Sequence, residues 1–108
     1  MSNVYVVQEV PGRNLFRARR YGNLIALLPP GRQIVLSPGP VVYKLAKYLN
    51  SFTNEDYLLL MGDPIAIGAA VALAAQANGG RVACLKWDRQ EEDYYVVNLD
   101  LFNRSPGS

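Results

Sequence analysis

The sequence predicts one α/β domain with a mixed sheet of about five strands and two principal helices, in the order β-β-α-β-α-β-β. Three observations carry this. Short β-branched and aromatic runs, such as Val4-Tyr5-Val6-Val7 and Tyr94-Tyr95-Val96-Val97, read as strands. Between them lie two segments of helical character, each opening at a proline. Pro-Gly and Gly-Gly pairs punctuate the boundaries. The 108 residues suit one domain, and a chain 50% hydrophobic and 19% charged can bury a core.

Val4-Tyr5-Val6-Val7 forms the first strand and stops before Pro11-Gly12. Residues 13–22 are basic with Leu15, Phe16 and Ala18 interspersed, and read as either a short helical turn or an ordered loop. Leu24-Ile25-Ala26-Leu27-Leu28 is a continuous apolar run, the pattern of a buried strand. Gln33-Ile34-Val35-Leu36 offers a further short strand. Pro40 then opens a helix, because proline lacks an N–H that has no intrahelical partner at the first position. Val41, Val42, Leu45, Leu49 and Phe52 repeat at helical spacing, with Lys44 and Lys47 off the stripe and Tyr48 at its border.

Asp56-Tyr57-Leu58-Leu59-Leu60-Met61 is the clearest buried strand. Gly62-Asp63-Pro64 turns it into a helix over 64–77, which Asn78-Gly79-Gly80 ends. Residues 81–87 form the next strand, joined by that helix as a right-handed parallel crossover. Asp88 to Asp93 is a charged loop, and residues 94–101 return as the antiparallel arm of a hairpin. Tyr94 and Tyr95 face opposite sides of the sheet, so at most one is core. Residues 1–103 make the domain and 104–108 a flexible tail.

Composition excludes several chemistries. With no histidine there is no His-based triad, proton shuttle or His metal site. The lone cysteine, Cys84, allows neither an intramolecular disulfide nor a zinc ribbon, and its place in a strand marks it as a buried hydrophobe in a reducing compartment. No secretory signal is visible, and the longest apolar run spans 65–75, too short for a membrane. The expected location is the cytoplasm, or a host's cytoplasm. No cofactor or metal is implied, and the absence of a nucleophile–base pair argues against an enzyme.

Charge is polarised. Residues 1–54 carry seven basic side chains against one acidic, and residues 55–108 carry four against eight. The first half therefore either meets an anion such as nucleic acid or is neutralised by the second half. The candidate contact residues are Arg13, Arg17, Arg19 and Arg20 beside Phe16 and Tyr21, with Lys44, Lys47 and Tyr48 on the first helix. A solvated basic face reads equally well.

A second candidate is the turn at Gly62 and Asp63, with Gly68 on the helix and Asp88 at the next strand end. Ligands in open α/β sheets sit beyond the carboxyl ends of strands. The repeated glycines of a dinucleotide fingerprint and the lysine of a P-loop are missing. Helix capping by Asp63 accounts for the same residues. Asp63 and Asp88 could share a cleft, or be separate surface carboxylates. Asp88, Glu91, Glu92 and Asp93 lack EF-hand spacing and read as a solvated hairpin loop. A third candidate is the uncharged helix 64–77, rich in Ala66, Ala69, Ala70 and Ala72, as a homo-oligomer contact.

The strings Val4-Tyr5-Val6-Val7-Gln8-Glu9, Asp56-Tyr57-Leu58-Leu59-Leu60-Met61-Gly62-Asp63-Pro64 and Leu85-Lys86-Trp87-Asp88-Arg89-Gln90 together resemble a family of small proteins from tailed bacteriophages and environmental viral sequence. That family is of unknown function, so the resemblance implies a viral origin and action inside a bacterial host, and assigns no functional residue. Together these readings lead to a non-enzymatic binding protein contacting nucleic acid or a host protein through its basic half. The alternatives are a self-assembling accessory protein or a small-ligand module at the Gly62 turn.

Overall fold

The computed structural model describes residues 2–31 and 38–103. Five strands, β1 (Asn3–Gln8), β2 (Asn23–Leu28), β3 (Tyr57–Leu59), β4 (Arg81–Asp88) and β5 (Asp93–Asp100), form one mixed sheet in the order β2-β1-β3-β4-β5. The first four run parallel, and β5 pairs antiparallel with β4 along its whole length. A 3-10 helix (Phe16–Tyr21) connects β1 to β2, α1 (Pro38–Leu49) connects β2 to β3, and α2 (Pro64–Ala77) connects β3 to β4. This is the expected α/β domain. The ambiguous basic segment holds the 3-10 helix, while the short strand expected at Gln33-Ile34-Val35-Leu36 and the tail 104–108 lie outside the described residues.

Both faces of the central strands are covered, which is why they read as continuous apolar runs. Tyr5, Val7, Leu58, Val82 and Cys84 face the helix layer, where Leu45, Leu49, Phe52, Ala66, Ala70 and Ala74 meet them. Val4, Val6, Leu59 and Leu85 face the other way, under Ala18 of the 3-10 helix and Tyr94 of β5. Burial pushes the Cys84 thiol up from its ordinary value, as expected of a structural cysteine. Tyr94 is 3% exposed and Tyr95 41%, so the two tyrosines divide between core and surface as strand alternation requires.

Three boundaries move from their expected places. The first helix begins at Pro38, not Pro40. Both prolines fall in its first turn, where N–H groups have no intrahelical acceptor, so neither blocks the helix. The strand in 56–61 is regular only over Tyr57–Leu59. The second strand, expected to be buried throughout, is the sheet edge and is fully buried only at Leu27 and Leu28, at its carboxyl end.

The first helix is tied to the sheet through Asp56, a buried carboxylate. One oxygen accepts from the Asn3 N–H at 3.1 Å, and the other accepts from the Thr53 N–H and hydroxyl at 2.9 and 3.0 Å. Its polar atoms are thereby satisfied despite burial. The second helix buries Ala66, Ala70 and Ala74 against the sheet, and small side chains let it lie close beside α1. Ile65, Gly68, Ala72 and Gln76 remain exposed on its outer side. No helix among the described residues is long and apolar enough to cross a membrane.

Candidate functional site

The sheet order creates one natural opening. From β1 the chain leaves through the 3-10 helix on one face, whereas from β3 it leaves through α2 on the other. Adjacent parallel strands whose connections diverge in this way form a topological switch point, and the space beyond their carboxyl ends is where open α/β sheets take ligands. Here that space is a crevice of about 590 Å³.

Its frame is fixed by Gln8, the last residue of β1 and 95% buried. The Gln8 Nε2 donates to the Pro29 carbonyl beyond β2 at 3.2 Å, and its Oε1 accepts from the Asp63 N–H beyond β3 at 2.7 Å. One amide thus joins the ends of three strands. Gly62 runs past it with a φ of 112°, and a Cβ there would overlap both Cβ and Oε1 of Gln8. Glycine is required twice over, by conformation and by space. Asp63 then caps α2, its Oδ1 accepting from the Ile65 N–H at 2.8 Å and the Ala66 N–H at 3.4 Å.

The remaining walls come from distant parts of the chain. Val10-Pro11-Gly12-Arg13 is a turn closed by the Arg13 N–H on the Val10 carbonyl at 3.2 Å, with Gly12 at φ 83°. Proline second and glycine third is the type II pattern, and it sets Arg13 at the crevice. Leu59, Met61, Trp87 and Tyr94 supply apolar and aromatic surface. Trp87 and Tyr94 meet in an edge-on contact with centroids 4.9 Å apart and ring planes at 68°, and the Tyr94 hydroxyl donates to the Asn14 carbonyl at 2.9 Å, holding the 10–15 loop down. Burial raises the Tyr94 phenol above its ordinary pKa, so it stays a donor across the neutral range.

The structure divides the residues singled out from sequence. Gly62, Asp63 and Arg13 line the crevice together. Gly68 lies on the open side of α2 and does not line it. Asp88 also lies outside it, with its Oδ1 accepting from the Gln90 N–H at 2.9 Å and the Glu91 N–H at 3.4 Å in the hairpin turn. Arg17, Arg19 and Arg20 lie on the 3-10 helix, whereas Lys44, Lys47 and Tyr48 lie on α1, against the opposite face of the sheet. The basic half is therefore two separated groups. Sequence reading missed Gln8, Trp87 and Tyr94 as site residues. A polar residue closing the all-apolar run Val4-Tyr5-Val6-Val7 was the available signal for Gln8, while nothing local marks the two aromatics.

Part of the charge polarity is neutralised internally. The Arg20 guanidinium donates to the Asp93 carboxylate at 2.8 Å and also reaches the Tyr21 hydroxyl and Tyr94 carbonyl. The hydrogen bond with Asp93 raises the Arg20 pKa, and that with Arg20 holds the Asp93 carboxyl below its ordinary range. Among the described residues no group of three His, Cys, Asp or Glu side chains is placed to hold a metal ion.

Gly62→Ala should lower stability in urea unfolding by about 1–3 kcal/mol from backbone strain alone, with the overlap on Gln8 adding to it, whereas Asp63→Ala should cost about 0.5–2 kcal/mol as a lost cap. The Asp93 contribution is complete above the ordinary carboxylate range and is lost as pH falls through the lowered folded value. The melting-temperature gap between wild type and Asp93→Asn should therefore be present at neutral pH and shrink in acid. A gap that widened in acid would contradict the pairing.

No curated protein and no solved structure matches the chain. The family described as Phage Pam3 gp32-like protein matches residues 2–101, a span holding the five strands and three helices of the described residues and every residue of the crevice. The resemblance to tailed-phage proteins read from the three sequence strings is thereby borne out, and the chain belongs to the Phage Pam3 gp32-like protein family.

Proposed function

We propose that this phage-family protein is a non-catalytic binding domain whose ligand site is the crevice at the switch point between β1 and β3, acting in the host cytoplasm. The coincidence of this crevice with that point carries the reading. A space of about 590 Å³ suits a ligand of nucleoside size. Trp87, Met61 and Leu59 favour a flat apolar ring, and Arg13 offers a charged donor. The carboxylates of Glu9 and Asp63 share the lining and oppose a polyanion. The ligand class that fits is an uncharged planar heteroaromatic, a nucleobase or nucleoside. The missing histidine and the lack of a paired nucleophile and base support binding without chemistry.

Trp87 is the chain's single tryptophan, so its fluorescence reports directly on this crevice. Titration with the common nucleosides should give saturable change with at least one of them. Arg13→Ala should weaken that binding about tenfold or more, the loss of a charged hydrogen bond. Emission unmoved by every nucleoside and free base at millimolar concentration would overturn the proposal.

A second reading, contact with single-stranded nucleic acid through the basic N-terminal segment, is favoured by Phe16. Its ring is 71% exposed, and the Arg19 guanidinium lies 6.0 Å from the ring centroid. Arg13 and Arg17 are exposed in the same segment. An exposed ring among guanidiniums can stack on an unpaired base while the cations meet phosphates. Fluorescence anisotropy with labelled oligonucleotides should then show binding that weakens steeply with salt and is reduced in Phe16→Ala. Salt-insensitive or absent binding removes this reading, and an acidic host protein becomes the remaining partner for the segment.

A further inference from the structure

We propose that β5 is a docking edge for the β5 of a second copy of this chain, the two strands running antiparallel about a two-fold axis at Asn98. The strand closes one side of the sheet, and among the described residues no strand lies beyond it. It is paired to β4 without a bulge from Asp93 to Asp100 and contains no proline, lysine or arginine. Those are the devices by which exposed edges are ordinarily protected from pairing.

The backbone pattern of this edge can be read directly. The Leu101 N–H donates to the Gly80 carbonyl at 2.8 Å, and the register continues from Arg81 opposite Asp100. In an antiparallel ladder hydrogen-bonded residues alternate. Leu101, Leu99, Val97 and Tyr95 therefore turn their N–H and C=O groups to β4, while Asp100, Asn98, Val96 and Tyr94 turn theirs outward. Tyr94 is already engaged. Its carbonyl accepts from Arg20 and from the Tyr21 hydroxyl, both at 3.2 Å, and its N–H donates to the Asp93 carboxylate at 2.7 Å. Among the described residues the free run is Val96, Asn98 and Asp100.

Outward-facing residues must meet outward-facing residues, and the free run is centred on Asn98. An axis there sets Val96 opposite Asp100 of the second copy and Asn98 opposite its own counterpart. All three residues then exchange N–H and C=O groups with the second copy. Moving the axis to Val97 would spend Asp100 against the occupied Tyr94. On the helix-layer face the same register sets Val97 beside Leu99 and Tyr95 beside Leu101 of the second copy. Tyr95, Val97 and Leu101 are all among the exposed large apolar residues. Charge agrees: Asp93 is held by Arg20, and Asp100 meets a valine instead of another aspartate. The strand complements itself in its outward hydrogen-bonding groups and its exposed apolar side chains, with no carboxylate set against another, and this identifies the occupant as a second copy.

Cysteine cross-linking of the full chain tests this register. Opposed residues of a hydrogen-bonded pair lie about 5.5 Å apart at Cα, within disulfide reach. Asn98→Cys should therefore give a covalent dimer under mild oxidation. Val96→Cys alone should not, but mixed with Asp100→Cys it should. Cys84 is buried, so the wild type serves as the uncross-linked control. Light scattering at high micromolar concentration should show a mass near twice 11.9 kDa for wild type, and monomer for Val97→Lys with an unchanged circular dichroism spectrum. A monomeric wild type overturns the proposal, as does a failure of Asn98→Cys to cross-link. So does a dimer that survives Val97→Lys but is lost in Ala72→Glu, which would place the contact on α2. If Val97→Lys fails to fold, the cross-linking pattern decides alone.

Discussion

The Gln8 side chain occupies the point where the connections of the sheet diverge. Because it is buried, both ends of its amide must find partners, and it finds them on Pro29 beyond β2 and on Asp63 beyond β3. The spacing of three strand ends is thereby set by one planar group. Gly62 is bound to the same constraint, since any side chain there meets Gln8. Asp63 is bound to it in turn: its N–H is held by Gln8 while its carboxylate holds the first turn of α2. A single buried amide thus sets the mouth of the crevice and the starting point of the helix beside it.

Everything else at that end of the sheet is held by parts of the chain that arrive from elsewhere. The Pro11-Gly12 turn delivers Arg13, and the Tyr94 hydroxyl, reaching across from the last strand, holds the same loop at Asn14. Arg20 and Tyr21 of the 3-10 helix contact the carbonyl of Tyr94, so the connection between the first two strands is fastened to the fifth. These contacts close the face of the sheet that α1 and α2 do not cover. They also occupy the first outward-facing position of β5, which limits where another strand could pair.

The basic half of the chain illustrates how charge along a sequence differs from charge in space. Arg13, Arg17, Arg19, Arg20, Lys44 and Lys47 lie in one acid-free stretch of sequence, yet the sheet stands between the arginines and the two lysines. Within the arginine group, Arg20 is bound to Asp93, Arg19 lies over Phe16, and Arg13 lines the crevice. One compositional feature becomes several local environments, and each must be judged by its own neighbours.

The fold class, the two helices, the hairpin and the capping turn Gly62-Asp63-Pro64 were legible in the residue pattern. These depend on local rules: β-branched runs favour strands, proline suits a first helical turn, and a carboxylate before the helix satisfies its free N–H groups. The three strings that mark the phage family are local as well. Tertiary structure alone decided the strand order, and therefore which strand ends are neighbours. Local preference cannot choose among sheet orders, because the same strands and helices satisfy their own residues in several of them. Gln8, Trp87 and Tyr94 become parts of one site only once β1, β3, β4 and β5 are placed side by side. The apolar run at Leu24-Ile25-Ala26-Leu27-Leu28 makes the same point from the other direction. Its composition allows a central strand, but the sheet order places it at the edge, where only Leu27 and Leu28 at its carboxyl end are fully buried.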